Sequence, residues 1–195
     1  PKAQYDDYVA AAGSFMDRLV TGDPTNSATD VGPLIREEHR ARVQGYVDRA
    51  LEHGARIEAS AQHNESAGYF MGPVLMGAVD NDDEIAQVEL FGPVGVLMPY
   101  ESVEEAVSVA NTTPFGLNAN VWGPTHDAMR VARALRSGTV TINGGGGMRQ
   151  DVPWGGPKGS GVGREAGEEG FLEFFEVKHI QWPIGTETSK PFGVD

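Results

Sequence analysis

An α/β fold, with a mostly parallel sheet flanked by helices, is predicted for this 195-residue chain. Three observations predict it. Segments with apolar residues at helical spacing alternate with short runs rich in β-branched residues, the pattern of a layered α/β domain. A capping box and several glycine stops fall at the ends of the helical segments. At 39% hydrophobic and 22% charged residues, the chain can bury a core as one large domain or two small ones.

Each element has its own signal. Tyr5, Tyr8, Val9, Ala12, Phe15, Met16 and Leu19 form one apolar stripe, with Gly22 as the stop of a first helix. Val43, Tyr46, Val47, Ala50 and Leu51 form a second, ended by Gly54. Ser102 with Glu105 makes a capping box for a third helix, whose inward side is Val103, Ala106, Val107 and Ala110. A fourth runs from Thr125 to Ser137, with Met129, Ala132 and Leu135 inward and Gly138 as C-cap. Strands are expected at Gly95–Met98, Asn120–Trp122 and Thr139–Ile142. A short helix near Glu165–Phe175 and a last strand, Val177–Trp182, close the chain. That strand can leave the main sheet and join an oligomerisation sheet. The expected division is therefore 1–176 for the main body and 177–195 for the oligomerisation strand and tail. The stretch Gly144–Gly163 is long for a connection and rich in Gly and Pro, as functional loops often are.

Charge and composition exclude several classes. A net charge of −13 argues against nucleic acid and anionic membranes as partners. It leaves phosphorylated cofactors open, because backbone N–H groups hold phosphates without net charge. With no cysteine, the chain has no disulfide, thiolate metal site or cysteine nucleophile. No apolar run has the length of a bilayer span, and no secretory signal opens the chain, so a cytoplasmic location is expected. The first residue is Pro1 rather than Met, as in a domain, a processed form or a fragment.

Common chemical motifs fail on inspection. Pro157-Lys158-Gly159-Ser160-Gly161 lacks the Gly-Lys-Ser/Thr order of a phosphate loop and follows a loop instead of a strand. Gly159–Gly163 misses the dinucleotide glycine spacing, and no Gly-x-Ser-x-Gly elbow occurs. His39, His53, His63, His126 and His179 show no metal-ligand spacing and read as surface or hydrogen-bonded residues. The acidic stretches Asp80–Glu84, Glu101–Glu105 and Glu165–Glu169 read as solvated faces and helix N-termini.

Val88-Glu89-Leu90-Phe91-Gly92-Pro93-Val94 is the most informative stretch. In an extended segment Glu89 and Phe91 project from the same face. The carboxylate can accept hydrogen bonds from sugar hydroxyls, and the ring can pack on a flat heterocycle. On these seven residues alone, a solvated acid and a core phenylalanine remain the simpler reading.

The surrounding motifs resemble, in order and spacing, the C-terminal part of the aldehyde dehydrogenases. They are Gly22-Asp23-Pro24 with Thr29–Ile35, Gly68-Tyr69-Phe70 with Pro73-Val74-Leu75, then Glu89–Val94. Phe115–Ala119, Gly138–Asn143, Pro153–Glu165 and Glu176-Val177-Lys178 follow, so the resemblance covers about Tyr5 to Ile184. It implies an NAD(P)-dependent oxidation of an aldehyde to an acid. That chemistry passes through a thiohemiacetal and thioester on a cysteine, with a glutamate as base. In the family, the Rossmann-type cofactor half and both catalytic residues precede the point where this chain begins, so the chain alone is expected to be inactive.

The resemblance also assigns site residues. Glu89 matches the glutamate that hydrogen-bonds the nicotinamide ribose, and Phe91 the aromatic beside the nicotinamide. Trp154 stands where phenylalanine usually lines the aldehyde tunnel, a departure that should narrow or reshape the pocket. Buried packing is the alternative for it. Asn143, Gly144 and Gly145 match the loop rimming the substrate entrance. The implied cofactor is NAD or NADP. The implied partners are an aldehyde, the Rossmann-type remainder of the enzyme and further copies of the chain. The competing reading is a non-catalytic split or oligomerisation module. Either form, lacking its other half, is expected to be an oligomer, poorly soluble, or bound to that half.

Overall fold

The computed structural model describes residues 1–62, 67–144 and 149–182. The chain runs α1 (Tyr5–Met16), α2 (Glu37–Glu52), β1 (Arg56–Ser60), β2 (Val74–Gly77), α3 (Glu84–Gln87) and β3 (Val94–Val96). Then come α4 (Val103–Thr112), β4 (Asn118–Val121), α5 (Thr125–Ala134), β5 (Thr139–Ile142) and α6 (Gly167–Leu172). The strands form two small sheets, β1-β2-β3 and β4-β5. β2–β3 and β4–β5 pair in parallel, and β1 pairs antiparallel with β2. The α/β class with mostly parallel pairing is what the structure shows.

The core lies under α2. Val43, Val47 and Ala50 recur at helical spacing and pack on Met71, Met76, Val79, Ile85 and Leu90. Val43, Val47 and Met76 are almost entirely buried, and each such side chain contributes about 1.5–3 kcal/mol. The peptide at Gly92 passes directly beneath this helix. A Cβ there would sit 2.8 Å from Val43 Cγ1, so only glycine allows the approach.

α4 starts as its sequence dictates. Ser102 Oγ accepts a hydrogen bond from the Glu105 amide at 3.1 Å. The Glu105 carboxylate reaches back to the Glu101 amide at 2.8 Å, one residue earlier than the ideal reciprocal bond. At the other end, Lys158 Nζ donates to the carbonyls of Asn111 and Thr113, both at 3.0 Å. The lysine of the false phosphate loop therefore serves a helix C-terminus, where a cation is favoured. The acidic stretches sit at helix starts, with Glu84 in the first turn of α3, Glu104 and Glu105 in α4, and Glu168 and Glu169 in α6.

Several expectations are corrected. α1 ends at Met16 and not near Gly22. Of its stripe only Met16 is buried, while Tyr8 and Phe15 are exposed. α5 ends at Ala134 with Leu135 as the cap residue, so Gly138 caps nothing. Gly138 is instead required by a crossing, because a Cβ there would lie 1.6 Å from the Gly155 carbonyl oxygen. In α5, Ala128 is buried and Met129 is exposed, a shift of one position around the helix. α6 stops at Leu172, short of Phe175. Val177–Trp182 forms no strand within this chain. Among the described residues it has no ladder partner, and Val177, Ile180 and Trp182 are exposed. The tail 186–195 lies outside the described residues. No described helix is long and apolar enough to cross a membrane.

Candidate functional site

The segment leaving α3 is extended at Val88, with φ −115° and ψ 140°. Glu89 is then exposed, Leu90 is buried, and Phe91 is 75% exposed. Burial alternates, so Leu90 anchors the segment while both flanking side chains face solvent. Phe91 is therefore no part of the core formed by the described residues. Phe91 also has φ +54°, a left-handed conformation that costs a non-glycine residue about 1–2 kcal/mol. Strain of this kind clusters at functional sites in proteins generally, and here it falls on a residue that buries little.

Two α2 side chains hold this peptide. His39 Nε2 donates to the Phe91 carbonyl at 2.8 Å, since a carbonyl oxygen can only accept. Arg42 Nη2 donates to the Leu90 carbonyl at 2.9 Å. The Arg42 guanidinium also lies 5.8 Å from the centre of the Tyr46 ring. Neither residue stood out in the sequence as part of a site. His39 read as a surface or hydrogen-bonded histidine, and the partner it bonds is 52 positions away.

The remaining predicted residues gather on the β4–β5 side. Trp154 pairs with Glu165 through bonds in both directions, Trp154 N to Glu165 O at 2.7 Å and Glu165 N to Trp154 O at 2.8 Å. It is half-buried and lines a hollow of about 340 Å³ with Leu117, Ser160, Val162, Arg164 and Glu173. The Gly116 amide donates to Ser160 Oγ at 2.9 Å, and the Gly159 amide to the Pro114 carbonyl at 2.8 Å, so the glycine-rich segment is fastened to the turn before β4. Upstream, the Arg149 guanidinium hydrogen-bonds Asp151 and holds its carboxyl below the usual range.

Asn143 follows β5 at φ +54°. Its amide donates to the Gly123 carbonyl and accepts from the Gly123 amide, both at 2.8 Å, tying the ends of β4 and β5 together. Gly144 comes next at φ +134°, and Gly145 lies outside the described residues. Glu89 and Phe91 thus form one cluster beneath α2, while Trp154 lines a hollow to which the 88–94 segment does not contribute. No group of three or more His, Cys, Asp or Glu among the described residues could hold a metal ion.

The exposed carboxylate and ring suit one side of a nucleoside. Glu89 can accept from vicinal hydroxyls, and Phe91 offers an uncovered aromatic face. Neither carries the donors that a pyrophosphate needs.

Comparison with known proteins identifies the family. The model of the aldehyde dehydrogenase family matches residues 1–180. Betaine aldehyde dehydrogenase of Bacillus subtilis is 38% identical over 183 residues, 91% of this chain and 37% of the relative. The crystal structure of Mycobacterium tuberculosis aldehyde dehydrogenase with NAD+ superposes with a TM-score of 0.87 at 37% identity, covering 96% of this chain and 39% of that one. Betaine aldehyde dehydrogenase of Staphylococcus aureus with NAD+ gives 0.84 at 32% identity, with 96% and 39% covered. The chain therefore spans under two fifths of the length of these relatives. The sequence motifs, the fold and these matches agree that the chain belongs to the aldehyde dehydrogenase family.

Proposed function

We propose that this chain is the C-terminal part of an NAD(P)-dependent aldehyde dehydrogenase and supplies the nicotinamide side of its cofactor site. The observation that carries the reading is Phe91, strained at φ +54° and 75% exposed beside the exposed Glu89. The NAD+ complexes of the relatives named above support it.

When bound, the nicotinamide cofactor accepts the hydride released by the aldehyde carbon. This chain's part is to orient. Glu89 accepts hydrogen bonds from the hydroxyls of the nicotinamide ribose, which fixes rotation about the sugar. Phe91 places its ring against the nicotinamide and limits its tilt. Both are positioning effects, which lower the barrier by holding a reactive geometry. On the β4–β5 side, Trp154 shapes the aldehyde's approach. Asn143 and Gly144 form part of the entrance rim, which is presented there largely by backbone because the Asn143 amide is engaged with Gly123. The cysteine nucleophile and glutamate base belong to the Rossmann-bearing remainder, with which this chain associates. The chain by itself is proposed to be inactive.

The test is cofactor affinity in the complete enzyme. Glu89→Gln and Phe91→Ala should each raise the NAD+ dissociation constant about tenfold, the equivalent of one strong contact of about 1.4 kcal/mol. Wild-type affinity in both variants contradicts the assignment.

A further inference from the structure

We propose that His39 and Arg42 are positioning residues that clamp the 89–91 peptide into its cofactor-facing shape through two successive carbonyl oxygens. The proposal rests on the reading of Glu89 and Phe91 as nicotinamide-side contacts. It goes beyond it by naming what holds them.

His39 and Arg42 are three apart on α2, so their side chains leave the helix on one face. The same helix buries Val43 and Val47 almost completely, which makes it a rigid platform. From it, His39 reaches the Phe91 carbonyl at 2.8 Å and Arg42 the Leu90 carbonyl at 2.9 Å. Gly92 completes the arrangement, since any side chain there would strike Val43 and lift the peptide off the helix. Arg42 is steadied by the Tyr46 ring.

The clamp has a conformational problem to solve. Left alone, a phenylalanine avoids φ +54° by about 1–2 kcal/mol, so an unsupported Phe91 would spend most of its time in another backbone region. A bond from a neutral donor contributes about 0.5–1.5 kcal/mol and one from a charged guanidinium about 1.5–3 kcal/mol. Two such bonds to adjacent carbonyls suffice to reverse the preference. The ring cannot supply that force, because it is 75% exposed. Global stability is not the clamp's purpose either, since the buried face of α2 already fastens the helix to the sheet.

The experiment uses the complete enzyme and reads NAD+ titration, urea unfolding and hydrogen exchange of the peptide covering 88–94 without cofactor. His39→Leu and Arg42→Met should each weaken NAD+ binding about tenfold, as one lost hydrogen bond implies, and speed exchange of that peptide severalfold. The unfolding midpoint should stay near wild type. His39→Gln, which keeps an N–H donor, should stay within about threefold of wild-type affinity. Unchanged exchange in the cofactor-free variants overturns the clamp, because a direct cofactor contact would leave the free peptide alone. Loss of affinity that merely tracks a lower unfolding midpoint also overturns it. If Glu89→Gln weakens binding while both clamp variants bind like wild type, the clamp fails and the cofactor reading survives. If wild type does not bind NAD+, or Glu89→Gln has no effect, the reading and the clamp fail together.

Discussion

A phenylalanine held at φ +54° with three quarters of its surface in solvent is unfavourable on two counts. The backbone is strained and the apolar ring stays wet, which supports the proposal that the ring meets a bound cofactor. Phe91→Gly separates the two effects. Glycine removes a left-handed penalty of about 1–2 kcal/mol but makes the unfolded chain freer by about 0.5–1 kcal/mol. Stability in urea should therefore stay within about 1 kcal/mol of wild type, while NAD+ affinity falls at least as far as in Phe91→Ala. Destabilisation beyond about 2 kcal/mol would make the ring structural. At this scale Glu89 and Phe91 were legible as candidates, because their chemistry and their place in an ordered set of motifs pointed the same way. His39 and Arg42 were not. Their signal is a contact with carbonyls 52 and 48 positions away, and any residue supplies a carbonyl.

Elements were legible where local chemistry decides them. The stripe of α2 and the Ser102–Glu105 cap each state a helix within a few residues, and both are where the sequence places them. β1 and β2 went unread because Arg56–Ser60 mixes charged and apolar residues and Val74–Gly77 is only four residues long. α3, also four residues, is too short for a period. Gly138 was read as a helix stop because glycine is common there, whereas its reason is the crossing with Gly155. Gly138→Ala should consequently cost about 3 kcal/mol or more in urea unfolding, since two backbone segments must separate. Gly95→Ala in β3, whose Cβ would meet Leu75 Cδ1 at an ordinary 3.5 Å, is the control and should be near neutral. Equal stability of the two variants contradicts the crossing.

The whole molecule exposes surfaces that a finished domain covers. Parallel strands are normally buried on both faces, yet no residue of β4 or β5 is buried. Phe171, Phe174, Val177, Ile180 and Trp182 stand more than 60% exposed along the end of the described chain. This is why the buried stripe of α1 was overread and why Val177–Trp182 finds no strand partner among the described residues. Their apolar residues announce burial, but within this chain the covering surface is missing. In light scattering the isolated chain should accordingly be an oligomer or an aggregate, or a complex when the remainder of the enzyme is supplied. A monodisperse monomer contradicts that. The central claim, that Glu89 orients the nicotinamide, is tested most directly by single-turnover NADH formation in the complete enzyme with saturating NAD+ and aldehyde. Glu89→Gln should slow hydride transfer about tenfold or more, the consequence of a mispositioned ring. Hydride transfer at the wild-type rate in that variant would contradict the account.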